Sequence, residues 1–154
     1  MRETRILLVA ILALYSWSYG CCVRDQRMEP AYPKSVTGWG EREDRGVRIL
    51  GEFALKKGET TQNEKVQIKL LELIPPESCA AGGEFRAQAR ARLQFVRVAD
   101  GRILCEDVFP EHGFSVLSGC RGPKDADYVA ENGLGSIWVN DINIADGWIW
   151  FKLS

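Results

Sequence analysis

Trp138, Trp148 and Trp150 are the side chains with the most to offer a ligand. Aromatic faces are large, rigid and amphipathic, so tryptophans exposed together on a strand can stack a sugar ring. Trp148 and Trp150 are two residues apart, which puts both on one face of a strand. The turn ahead of them, within "IADGW" at 144–148, decides which face that is. A three-residue loop sets them beside Ile142 and Ile144, which reads as core and is the favoured reading. A two-residue loop sets them beside Asn143 and Asp141, which reads as a binding face.

Other chemistry is sparse. "NDINIADG" at 140–147 has the outline of a calcium loop, but Ala145 stands where a third oxygen ligand is needed. A hairpin with outward polar residues explains it better. The chain has one histidine, His112, inside the turn-like "PEHG" at 110–113. With one histidine and no paired CxxC motif, a zinc site lacks ligands. No G-x-S-x-G is present, and a serine or cysteine nucleophile needs an adjacent base and an orienting partner. Asp107 with Glu111 is a carboxylate pair, but such pairs are mostly solvated. The expectation is a chain with no catalytic residues, no metal and no cofactor.

The five cysteines are Cys21, Cys22, Cys79, Cys105 and Cys120. The first two follow Ile6 to Tyr15, "ILLVAILALY", behind a start that carries Arg2 and Arg5. A basic start, a short apolar run and small residues behind it read as a secretory signal. The run is too short to span a bilayer, which takes roughly 20 apolar residues. Ser18 and Gly20 suit a cut before Cys21. "SYGC" at 18–21 resembles a degraded bacterial lipobox, which implies a lipid on Cys21. Ser18 and Tyr19 depart from that pattern. An oxidising compartment favours disulfides, for which Cys22, Cys79, Cys105 and Cys120 are the candidates. If "PEHG" closes a tight hairpin, Cys105 and Cys120 fall on neighbouring strands and can share a face.

Taking away residues 1–20 leaves 134 residues, enough for one domain with a sizeable core. It also takes a net +1 from a formal charge of −1, leaving −2. So balanced a chain has no general pull on nucleic acid, and none on a membrane except through a lipid on Cys21. Residues 21–46 hold Pro30, Pro33 and the charge run Glu41 to Arg45 with no period, and read as a tether or irregular arm that Trp39 could anchor.

Residues 47–154 read as a β-rich domain. Val47, Ile49, Phe53 and Leu55 alternate with Arg48, Glu52 and Lys56, the pattern of a half-buried strand. Lys57-Gly58-Glu59 marks a turn. Lys65 to Ile74 is a second strand, in which Leu71 and Leu73 demand either a second covered face or a bulge. Arg86 to Val98 alternates Ala87, Ala89, Ala91, Leu93 and Phe95 with Arg and Gln. "VADGR" at 98–102 is expected to form a three-residue loop, which sets Phe95 opposite Cys105 and points Ile103 inward. "GPKDADYVAENG" at 122–133 predicts one short helix, and Ser136 to Leu153 a final hairpin. About seven strands with short turns point to an all-β fold, an antiparallel Ig-like sandwich or a small barrel.

The functional expectation is an exported, non-catalytic interaction module of the envelope or extracellular space, with a protein or glycan partner. Carbohydrate binding through the tryptophans and inhibition of an extracellular enzyme through the 110–113 loop are the alternatives. The mass of the intact mature protein, taken from membrane and soluble fractions, is expected to correspond to a chain beginning at Cys21, with or without a diacylglyceryl group. A mass that retains residues 1–20 overturns the signal reading.

Overall fold

The structure is a computed structural model that describes residues 30–77, 88–120 and 134–154. Nine strands run through them: β1 Gly38–Asp44, β2 Val47–Lys56, β3 Thr60–Gln62, β4 Val66–Ile74, β5 Arg90–Arg97, β6 Ile103–Pro110, β7 Phe114–Val116, β8 Ser136–Asn143 and β9 Trp148–Leu153. All pairings are antiparallel. They form a five-stranded sheet in the order β1-β2-β9-β8-β7 and a four-stranded sheet in the order β3-β4-β5-β6. The two sheets do not close into a barrel, so the architecture is a sandwich. The helix expected at 122–133 lies outside the described residues, as do Cys21, Cys22 and Cys79. Part of the expected irregular arm, Gly38–Asp44, is a strand.

The core lies between the sheets. Phe53 and Leu55 of β2, with Ile149, Phe151 and Leu153 of β9, face Ile68 and Leu70 of β4 and Leu93 and Phe95 of β5. Every second residue of these strands is apolar, so alternation alone sorts them inward. Gly51 belongs to this packing. A Cβ there would stand 2.3 Å from Cζ of Phe53, so the glycine leaves room for that ring.

The two sides of the sandwich are closed differently. On one side Trp39 of β1 packs against Phe53, ring centroids 4.8 Å apart, and its Nε1 donates to Oγ1 of Thr61 in β3 at 3.1 Å. On the other side Cys105 and Cys120 form a disulfide, with Cα atoms 6.0 Å apart. The pairing is the expected one, but the reason differs. After the Pro110–Gly113 turn the chain leaves its sheet, and β7 pairs with β8 in the other one. The disulfide therefore ties β6 of one sheet to the 3-10 turn, Leu117–Gly119, that follows β7 of the other, instead of joining two neighbouring strands.

The turns explain the remaining differences. Both Ala-Asp-Gly turns are four residues long, closed by Gly101 N donating to Arg97 O and Gly147 N to Asn143 O. Both glycines hold left-handed φ, 73° and 72°, which glycine adopts without the Cβ penalty. In the first hairpin a bulge restores the expected pairing of Phe95 with Cys105. That bulge buries Leu104 and leaves Ile103 at 37% exposure, the reverse of the expected inward Ile103. In β4 a bulge at Leu71 resolves the double-faced apolar pattern.

Phe151 is wholly buried in the middle of the five-stranded sheet. Phe151→Ala is expected to cost about 3–5 kcal/mol of unfolding free energy in denaturant titration. The disulfide spans 15 residues, and loop-closure entropy assigns it about 3 kcal/mol. The Cys105→Ala/Cys120→Ala double variant is expected to lose about that much, while native protein mapped without reduction yields no alkylated Cys105.

Candidate functional site

The outer face of the five-stranded sheet carries the candidate residues. Inward Ile137, Val139 and Ile142 of β8 and Ile149, Phe151 and Leu153 of β9 leave Trp138, Asp141 and Asn143 on one strand, and Trp148, Trp150 and Lys152 on the other, pointing out. Asn143 pairs with Trp148 and Asp141 with Trp150, so the tryptophans lie beside the polar residues and not beside Ile142 and Ile144. The extra turn residue produces this parity, and a bulge between Val139 and Asp141 restores the inward Val139. The favoured core reading therefore named the wrong face.

The three tryptophans meet three different fates. Trp148 is only 1% exposed although it faces outward. The N-terminal arm lies over it. Tyr32 meets its ring edge-on at 5.6 Å, and Asn143 Nδ2 donates to Pro30 O at 3.1 Å. Lys56 Nζ stands 5.5 Å from the Tyr32 ring centroid on the same side. Trp148 Nε1 has no acceptor among the described residues, a cost of about 1–3 kcal/mol. Trp150 is half-buried, and its Nε1 donates to Glu52 Oε1 at 2.9 Å. Arg42 bonds the other oxygen of Glu52 and reaches Thr37. Lys152 is held by Asp44 at 3.3 Å.

Trp138 remains open, at 53% exposure. It pairs across the strands with Phe114 of β7, itself 58% exposed, with ring centroids 6.0 Å apart and planes at 64°. Val116 lies two residues further along β7 at 53%. The sequence offered Trp138, whereas Phe114 and Val116 escaped notice, because a three-residue strand carries too little pattern to declare its face.

Next to this patch, the turn after β6 approaches β8. Gly113 O accepts from Val139 N at 2.9 Å, and Glu111 Oε1 accepts from Ile142 N at 3.0 Å. Glu111, His112 and Asp141 each bring a potential ligand atom within 4.8 Å of the other two. Asp107, the carboxylate weighed as a pair with Glu111, does not join them; its Oδ1 accepts from Val108 N. The calcium-loop outline at 140–147 is the β8–β9 hairpin, with Asp146 bonded to Asn143.

Two concavities lie elsewhere. One of about 260 Å³ lies where Trp39 and Leu50 meet Val66 and Leu134, below the usual range for a ligand pocket. One of about 420 Å³ is lined by Glu41, Arg42, Glu43, Gly46 and Arg48, with no hydrophobic side chain among them. There Arg48 grips both oxygens of Glu41 at 2.7 Å, and this hydrogen bonding holds the Glu41 carboxyl below its ordinary value. The pair is solvent-exposed, so water screens its contribution.

Tyr32→Ala is expected to uncover Trp148, seen as a red shift of tryptophan emission in the folded protein. It should cost about 0.5–1.5 kcal/mol, the worth of an edge-on aromatic pair. Unchanged emission would show that the ring is covered by other means.

Comparison of the chain with protein-family models, curated proteins and solved structures found no match.

Proposed function

We propose that this chain is an exported, non-catalytic interaction module that binds a protein partner through Phe114, Val116 and Trp138. One observation carries the reading. These three side chains, each more than half exposed, adjoin on the outer face at the β7 edge of the sheet. Contiguous apolar surface rimmed by polar groups is what association buries. An edge strand also offers unpaired backbone groups to a partner strand. Export is supported by the basic start and apolar run before Cys21, and by the Cys105–Cys120 disulfide, a bond that persists in oxidising compartments. A lipid on Cys21 would hold the module at an envelope surface.

The sugar-binding reading is weaker on geometry. Trp148 is covered, and Trp138 and Phe114 meet at 64°, so they offer no flat two-ring platform. The inhibitor reading requires a protruding loop, whereas Glu111 and Gly113 bond their turn down onto β8.

The test is a photoreactive benzoylphenylalanine placed at position 114 in the cells that make the protein, with position 47 as an equally open control. A discrete protein adduct at 114, lost with Trp138→Ala and absent at 47, is the expected result. No adduct, or the same adduct at both positions, overturns the reading. Saturable binding on a glycan array that Trp138→Ala abolishes, with no protein adduct, replaces it with the sugar reading.

A further inference from the structure

We propose that Glu111, His112 and Asp141 form a binding site for one divalent first-row cation, with zinc the best match. The inference does not depend on the contact-face reading. The turn after β6 supplies Glu111 and His112, and β8 supplies Asp141 just past its bulge. Three ligand atoms within 4.8 Å of one another converge there. Donors on a common zinc ion stand about 3.4 Å apart, so the three must close by at most about 1.4 Å. His112 is exposed and free to rotate that far.

The electrostatics favour a cation. Elsewhere on the same sheet the outer carboxylates are neutralised, Glu52 by Arg42 and Asp44 by Lys152. Glu111 and Asp141 approach each other with no such partner among the described residues. Two carboxylates this close repel, and a divalent ion between them turns repulsion into attraction. The bond from Ile142 N to Glu111 Oε1 orients the carboxylate as an outer-shell donor does and leaves its second oxygen for a metal. Calcium wants six to eight oxygen ligands, which two carboxylates do not supply. An imidazole nitrogen with two carboxylate oxygens suits zinc or its neighbours. Three protein ligands also leave coordination positions open. The ion would pin the β6–β7 connection onto β8, two residues before Phe114.

His112 is the chain's single histidine, so its imidazole CH protons form one isolated pair of NMR signals. The experiment titrates the full chain with Zn²⁺ after alkylation without reduction, which blocks free thiols and spares the disulfide. The expected result is a shift or broadening of the His112 signals that saturates at one equivalent. Asp141→Asn and Glu111→Gln should each weaken the affinity by at least about tenfold, with the rest of the spectrum native. Glu72→Gln, on the other sheet, should bind as the parent does. The absence of a saturable response, or equal affinity in both site variants, overturns the proposal. An equal response to Ca²⁺ overturns the zinc assignment.

Discussion

Strand β9 constrains everything around it. It lies in the middle of the five-stranded sheet, and Ile149, Phe151 and Leu153 are wholly buried against the opposite sheet. A strand alternates without exception unless it bulges, so Trp148, Trp150 and Lys152 must face out. Two tryptophans on a solvent face are a large apolar burden, and the surrounding chain answers it. The arm from Pro30 to Thr37 crosses the sheet, with Tyr32 on Trp148 and Thr37 bonded to Arg42. Arg42 in turn steadies Glu52, which receives the indole proton of Trp150. The arm, the first strand and the ion pairs are therefore responses to one constraint in β9.

Two sheets packed face to face still need their sides closed. The β1/β3 side uses an aromatic: Trp39 packs on Phe53 over the space Gly51 leaves, and its indole bonds Thr61 across the gap. The β6/β7 side uses the disulfide. The choice follows from size. β7 has three residues and brings little apolar area of its own to hold the sheet edge. A covalent link lowers the entropy of the unfolded chain and stabilises such an edge without needing area.

Much of this was legible in the sequence. Alternation located β2, β4, β5 and the final hairpin, while the expected pairing of Phe95 with Cys105 is reached by a four-residue turn and a bulge, not by the three-residue loop it was derived from. What escaped was single-residue arithmetic. A turn of four residues instead of three reverses the face of every residue beyond it, and a bulge reverses it back. Neither leaves a mark in residue types, so Ile103 and Leu104 exchanged roles and the Trp148–Trp150 pair changed sides. Strand β1 hid because its exposed edge is charged, Glu41 to Asp44. The meeting of Glu111 and His112 with Asp141 was invisible for another reason. It depends on the chain crossing between sheets after Pro110, and local periodicity carries no information about a crossover.

The edges themselves argue for where a partner would land. A sandwich exposes four edge strands, each a template for unwanted pairing unless blunted. β1 is blunted by the run Glu41-Arg42-Glu43-Asp44. β3 is Thr60-Thr61-Gln62, short and polar. β6 carries Glu106 and Asp107 at its centre and is tied through Cys105 to the segment that follows β7. β7 is Phe114-Ser115-Val116, with no charge and both apolar side chains more than half exposed. Among the described residues, only its brevity protects it. The same sheet shows that exposed aromatics can be covered, since Trp148 is. Among the described residues, leaving Phe114, Val116 and Trp138 open beside an unblunted edge is thus a departure from how the other three edges are handled. The proposed binding role would account for such a departure, because an exposed apolar surface is what an interface buries.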